Sequence, residues 1–114
     1  MKEIVDFLRK ETDVLNVEAM AQDLAKATAM YYTAATCYAQ QECIYTATLA
    51  KLAREANADT TMNAKEKELV IKGKAAEQKY NLTLAKGVLD GLEVKIESLR
   101  TLISKAKEEL RLTK

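Results

Sequence analysis

Apolar residues recur at helical spacing along most of the chain, and this pattern predicts three helices. The first covers about residues 2–11, with charged residues on its opposite side. The second covers about residues 17–56, and its apolar side repeats every seven residues. The third covers about residues 64–112. The pattern therefore predicts an all-α protein with a single helical domain over residues 1–114.

Polar residues between the predicted segments mark where helices begin. Asn16 precedes the second segment and is a good N-cap residue. Residues 57–63 gather turn-forming side chains, and Asn63 followed three residues later by Glu66 is typical of a capping box. Because the link between the two long helices is short, we expect them to form a long antiparallel hairpin.

The third segment has the clearest repeat, with apolar residues at alternating three- and four-residue steps, as in a coiled-coil seam. Val88 and Leu102 widen its apolar side, so we expect a bundle or a homo-oligomer. Gly87 and Gly91 lie about one turn apart and mark either a kink or a close approach of another backbone. The predicted oligomer interface consists of Leu82, Leu89, Leu92, Ile96, Leu99, Ile103 and Leu110.

Composition narrows the chemistry that the chain can perform. The sequence of 114 residues contains no proline, which favours long uninterrupted helices. It also contains no histidine, which removes Ser-His, Cys-His and His-metal chemistry. Carboxylates are scattered rather than paired, and no glycine-rich phosphate loop is present. We therefore expect neither an enzyme nor a bound cofactor or metal.

Cysteines and tyrosines of the second segment also favour a structural role. Cys37 and Cys43 are six residues apart, so they point in different directions on a helix and do not suit a mutual disulfide. We expect two buried, reduced thiols. Tyr31, Tyr38 and Tyr45 recur every seven residues, and this spacing favours core packing over a ligand pocket.

The net charge of +1 hides an uneven distribution. Residues 1–64 carry 6 Lys and Arg against 9 Asp and Glu, whereas residues 65–114 carry 12 against 8, so the two parts have net charges of −3 and +4. A basic segment beside an acidic one suits a polyanion on one side and a protein on the other, although solvated helix faces show similar imbalance.

One heptad position of the third segment is occupied mainly by lysine and arginine, which aligns these residues along one side of a helix. A line of cations suits a phosphate backbone, and an adjacent tyrosine can stack on a base. The ordinary alternative is the charged flank of a coiled-coil seam, with Glu77, Asp90 and Glu97 as pairing partners. The candidate nucleic-acid contacts are Lys72, Lys79, Tyr80, Lys86, Arg100 and Lys107.

The stretch KAAEQKYNLTLAKGVLDGLEVKIESLRTLISKAKEEL, within residues 72–110, resembles small helical proteins of tailed phages and, among them, the UvsY-type recombination mediators. In this resemblance LAKGVLDGLEVKIESLR corresponds to the oligomerising helix. The resemblance implies a ring-like homo-oligomer that binds single-stranded DNA and helps to load a recombinase onto it. For a phage protein, this implies a location in the host cytoplasm.

Two other functions remain open. A small helical phage protein with an acidic first half also suits an inhibitor that contacts a host enzyme or a defence complex. A plain coiled-coil scaffold is the third alternative. No apolar run approaches the ~20 residues that a membrane-spanning helix needs, so we expect a cytoplasmic protein without a membrane partner.

Overall fold

The computed structural model describes residues 2–112, and their regular structure is entirely helical. The four helices are α1 (Lys2–Arg9), α2 (Val17–Ala58), α3 (Ala64–Lys74) and α4 (Ala76–Leu112). No strand occurs within residues 2–112. The prediction of an all-α chain is confirmed.

The first helix ends at Arg9, two residues earlier than the apolar pattern predicts. The backbone N–H of Lys10 donates to the carbonyls of both Asp6 and Phe7, at 3.2 Å each, and this closes the last turn. The Nζ of Lys95 then donates to the Phe7 carbonyl at 2.9 Å and to the Lys10 carbonyl at 3.0 Å. Lys95 thus satisfies carbonyls that the end of a helix leaves without intrahelical partners.

The second helix begins where the sequence predicts and ends two residues later. The Oδ1 of Asn16 accepts from the backbone N–H of Ala19 at 3.1 Å, which confirms Asn16 as the N-cap. The helix continues to Ala58, and the N–H of Asp59 donates to the Ala56 carbonyl at 3.1 Å to close its end. The link is therefore residues 59–63.

Asn63 caps the start of α3 as the sequence predicts. Its Oδ1 accepts from the backbone N–H of Glu66 at 2.8 Å, and its Nδ2 donates to the Glu66 Oε1 at 3.0 Å. The two residues therefore fix each other at the first turn of the helix, which is the arrangement that stabilises helix starts.

A single third helix over residues 64–112 was expected, and this prediction is wrong at Ala75. Ala75 has φ −91° and ψ 2°, which departs from helical values and separates α3 from α4. Its N–H still donates to the Ile71 carbonyl at 2.9 Å, and its carbonyl accepts from the Lys79 N–H at 3.0 Å. Nearby Gly73 has low helix propensity, so the distortion occurs at a weak point of the helix.

The described residues fall into two compact units. The core unit comprises residues up to Ala35 and from Gly87 onward, and the link unit comprises Thr36–Lys86. In the core unit, α1, the first part of α2 and most of α4 surround a continuous apolar interior. The buried apolar residues of this unit are Ile4, Phe7, Met20, Ala27, Ala34, Leu92, Ile96, Leu99 and Ile103.

The predicted oligomer seam is largely used within the single chain. Leu92 has no exposed surface, and Ile96, Leu99 and Ile103 are buried beside residues of α1 and α2. Leu89 packs against the same interior and Leu82, in the link unit, is half-buried, whereas Leu110 is 58% exposed. The heptad pattern therefore corresponds largely to contacts between helices of one chain. A homo-oligomer stays a prediction.

The two interior glycines have different surroundings. A Cβ added at Gly91 would lie 3.1 Å from Leu8 Cδ1 and 3.8 Å from Leu8 Cδ2, so a side chain, rather than the expected backbone, approaches the helix closely there. A Cβ added at Gly87 would meet nothing within 4 Å. Gly91 therefore admits the side chain of Leu8 against the surface of α4.

The link unit has a thinner interior than the core unit. Its buried apolar residues are Ala56, Ala75 and Ala85, and the larger apolar side chains of residues 36–86 are half-buried or exposed. The small alanine side chains allow the helices to approach closely, but they remove little apolar surface from water.

The expectation of two buried thiols is wrong. Cys37 is half-buried and Cys43 is exposed, and both are free thiols. Six residues on an α-helix correspond to a rotation of about 240°, so burial of one of these positions leaves the other on a different side. The expectation that they do not bond each other agrees with this geometry.

Candidate nucleic-acid interface

Three of the predicted lysine contacts lie together in the link unit. Lys72 is on α3, and Lys79 and Lys86 are on α4. All three are exposed, and Lys79 and Lys86 lie about 10 Å apart along one side of α4, while Lys72 precedes Lys79 by seven residues across the break at Ala75. Lys65, at the start of α3, continues the same spacing and is exposed as well. We call Lys65, Lys72, Lys79 and Lys86 the lysine column.

Two lysines of the column have identified neighbours that leave their ammonium groups accessible. The Nζ of Lys72 lies 3.2 Å from Glu68 Oε1, and both side chains are mostly exposed, at 72% and 65%. The Nζ of Lys79 lies 5.5 Å from the centre of the Tyr45 ring. An exposed ion pair between residues four apart contributes little, so Lys72 exchanges Glu68 for a phosphate at small cost.

Tyr80 adjoins the column and is 63% exposed. Its ring is therefore outside the packed interior of the link unit. An exposed aromatic ring beside cations is the combination on which single-stranded nucleic acids stack. The structure thus brings Lys72, Lys79, Tyr80 and Lys86 together in one unit.

Arg100 and Lys107 belong to the other unit, the core unit. Both are exposed. Arg100 lines a cleft of about 270 Å³ together with Glu93 and Glu97, and these carboxylates reduce the positive potential around its guanidinium. The same cleft is lined by Tyr31, whose Oη donates to Glu93 Oε1 at 3.4 Å. Arg100 is therefore a weaker candidate for phosphate contact than the lysine column.

The tyrosines expected in the core are half-buried. Tyr31 packs against the apolar interior of the core unit, and its ring meets Tyr32 edge-on at 6.1 Å. Tyr38 and Tyr45 in the link unit are half-buried too, and Tyr45 carries the ammonium of Lys79 over its ring. Their rings thus contribute to packing while one side stays accessible.

Sequence reasoning missed Lys95, which has a structural role. Besides its two carbonyl partners, its Nζ lies 4.3 Å from the centre of the Phe7 ring. Burial lowers the pKa of Lys95, while nearby Asp23 raises it by a smaller amount. Lys95 lies three residues after Leu92 and four before Leu99, so the apolar spacing already placed it on the packed side of α4.

A small polar network lies near the end of α1. Asp23 is almost completely buried and accepts from Thr12 Oγ1 at 2.8 Å through Oδ2. Its Oδ1 lies 3.7 Å from Lys10 Nζ. This network ties the segment after α1 to α2 and so helps to order the core unit.

Within residues 2–112, no three histidine, cysteine, aspartate or glutamate side chains gather in a way that suits a metal ion. In the same range no helix is both long and apolar enough to span a membrane. The sequence matches no protein-family model, no curated protein and no solved structure.

Proposed function

We propose that this chain is a non-enzymatic helical protein that binds single-stranded DNA through the lysine column and acts as a recombination mediator. The observation that carries the proposal is the exposure of Lys72, Lys79 and Lys86 at seven-residue intervals on one unit, with the exposed ring of Tyr80 beside them. Cations at regular spacing contact phosphates without reading the base sequence.

The proposal includes an antiparallel pairing of α2 with the later helices, which the contacts in each unit support. In the core unit, Met20 packs near Ile103, whereas Tyr31, further along α2, bonds Glu93, earlier on α4. In the link unit, Tyr45 contacts Lys79, and positions further along α2 share a small cavity with positions earlier on α3. In each unit, later positions of α2 therefore lie near earlier positions of the other helix, which indicates an antiparallel pair.

Self-association is part of the same proposal, because a few lysines in one chain bind a strand weakly. Several copies on one strand raise the overall affinity through effective concentration. Since Leu92, Ile96 and Leu99 are buried within the chain, the assembling surfaces are expected among exposed residues. A recombinase is the expected protein partner, and the cytoplasm of a phage-infected host is the expected location.

The test is binding of a labelled single-stranded oligonucleotide at several salt concentrations. Because each neutralised phosphate contributes a slope of roughly −0.7 for single strands, three lysine contacts predict a log–log slope of about −2 per chain. The triple variant Lys72→Glu, Lys79→Glu, Lys86→Glu is expected to lose binding while its helical circular dichroism remains.

The matched control changes the net charge by the same amount at Lys2, Lys51 and Lys105, which are exposed and outside the column. Replacing each by glutamate should preserve most of the binding. Tyr80→Ala should weaken binding by about 1–3 kcal/mol if a base stacks on the ring. If the wild-type chain binds no oligonucleotide at low salt, or if both triple variants lose binding equally, the proposal is wrong and inhibition of a host protein becomes the leading alternative.

A further inference from the structure

An exposed apolar strip follows the outer side of α3 and the start of α4 in the link unit. Leu69 and Tyr80 are each 63% exposed, and Leu84 is 48% exposed. Together with Gly73 they are spaced by four, seven and four residues, which places them on one side of a helix. Ala75 donates to the Ile71 carbonyl and accepts from the Lys79 N–H, so four-residue hydrogen bonding is present on each side of the break. We call Leu69, Gly73, Tyr80 and Leu84 the outer strip.

Gly73 leaves room at the middle of this strip. A Cβ added there would meet nothing within 4 Å. In the core unit, Gly91 also lacks a side chain, and Leu8 of α1 lies against the space that its Cβ would occupy. At Gly91, the surface of α4 thus accommodates a leucine from another helix. At Gly73 no residue of the described chain fills the space.

The charged residues beside the outer strip favour a partner helix of opposite charge. Lys72 and Lys79 of the lysine column lie along one flank, and Glu77 lies along the other flank. Residues 64–86 contain six lysines against three glutamates, a net charge of +3. An incoming helix with carboxylates beside Lys72 and Lys79 therefore gains electrostatic complementarity as well as apolar contact.

The same charges disfavour a second copy of this strip. A second copy brings the same net charge of +3 in any orientation, and a two-fold antiparallel pairing of identical strips also places the lysine columns side by side. Like charges in that position repel each other. The occupant that fits best is a helix from a different protein.

We propose that the outer strip docks one amphipathic α-helix of another protein, with leucine-like residues on its buried face and Asp or Glu along the flank beside Lys72 and Lys79. Such a helix lies in an apolar groove through residues three and four apart. Leu69 and Leu84 take no part in the proposed phosphate contacts, so this surface is separable from DNA binding by mutation.

The test uses the full-length protein and two labelled synthetic helical peptides of about 18 residues with leucine at the buried positions. One peptide carries glutamate along a flank, and the other carries lysine at the same positions. Fluorescence anisotropy is expected to show binding of the glutamate peptide and at least a tenfold weaker affinity for the lysine peptide.

The double variant Leu69→Ser, Leu84→Ser should weaken binding of the glutamate peptide about tenfold or more, whereas oligonucleotide binding should remain. The control replaces two exposed leucines outside the strip, Leu15 and Leu112, which are 94% and 80% exposed. Leu15→Ser, Leu112→Ser should leave peptide binding unchanged. The double variant Lys72→Glu, Lys79→Glu should reverse the preference between the two peptides.

Three outcomes overturn the inference. The first is a dissociation constant for the glutamate peptide weaker than about 1 mM. The second is equal loss of binding in both leucine double variants. The third is a wild-type dimer in sedimentation analysis that Leu69→Ser, Leu84→Ser converts to a monomer, because the occupant of the strip is then a second copy. Loss of oligonucleotide binding by the wild-type chain refutes the proposed function alone.

Discussion

The core unit and the link unit contain similar helices but differ in what lies between them. Met20 and Leu92 are completely buried in the core unit, whereas the link unit buries only alanines among its apolar residues. The core unit also contains α1, whose Ile4 and Phe7 add large buried side chains between its other helices. Eight residues of α1 thus convert a pair of helices into a packed core, and the unit without such a helix keeps its apolar residues at the surface.

This difference predicts where the molecule is stable and where it opens. Complete burial of a leucine or methionine side chain stabilises the folded state by about 1.5–3 kcal/mol, and the link unit has no such residue. Regions with few buried apolar contacts open at lower free energy. The core unit is therefore expected to hold most of the stability, while the link unit presents surfaces to other molecules.

The largest expected effect comes from removing a leucine in each unit. Leu92→Ala leaves a cavity beside Ala27 and Ile96 and should lower the free energy of unfolding by about 2–5 kcal/mol. Leu84→Ala removes a half-exposed side chain in the link unit and should cost less than about 1 kcal/mol. Urea unfolding followed by circular dichroism measures both values. Equal losses in the two variants would show that the units do not differ as described.

The second prediction concerns the attachment of α1. Lys95→Met keeps the apolar stem but removes two hydrogen bonds to the Phe7 and Lys10 carbonyls, so it should cost about 1–3 kcal/mol. Hydrogen exchange of α1 should accelerate more than that of the link unit. Lys26→Met is the control, because Lys26 also lies over the Phe7 ring, at 5.4 Å. If both variants lose equal stability, the ring contact rather than the carbonyl bonds holds α1.

Local sequence signals predicted the helix starts well, because the chemistry of a cap lies within a few residues. Asn16 and Asn63 act through side-chain atoms that bond the first turn of their own helices. The sequence offered a kink or a close approach of another backbone for both Gly87 and Gly91, and it distinguished neither the two glycines nor the side chain of Leu8 that lies against Gly91. Contacts with distant residues were less predictable, as with the bonds that Lys95 donates to carbonyls at the end of α1.

The sequence predicted the residues of the candidate site, but not which of them lie in the same compact unit. A heptad column shows that Lys79 and Arg100 share a repeat position, but not that they belong to different compact units. Likewise, an apolar seam does not say which helix covers it. The same spacing serves a partner chain or a helix of the same chain, so Leu92 was assigned to an oligomer and is buried within its own fold.

A third prediction compares glycines in the two units. Gly73→Ala should stabilise the protein by about 0.5–1 kcal/mol, because alanine favours the helix and its Cβ meets nothing within 4 Å. Gly91→Ala gains the same helix propensity but places its Cβ 3.1 Å from Leu8, so its net effect should be smaller or destabilising. Thermal unfolding of both variants decides between these outcomes. Greater stabilisation by Gly91→Ala than by Gly73→Ala would contradict the close approach of α1.

The smallest effect is expected in the link between α2 and α3. The side-chain hydroxyl of Thr61 donates to Asp59, as does the Thr61 backbone N–H at 2.8 Å, and these bonds lower the pKa of Asp59. Because the folded state favours the carboxylate, its stabilisation is present above the ordinary aspartate pKa of about 3.9 and is lost as the pH falls through the lowered value. Asp59→Asn should therefore lower the melting temperature slightly at about pH 7, and the difference from wild type should be smaller at about pH 2. The core unit is identical in wild type and Asp59→Asn, so the pH dependence of the difference in melting temperature reflects the turn at residues 59–63. A difference that stays the same at both pH values would mean that the charge of Asp59 does not stabilise the turn.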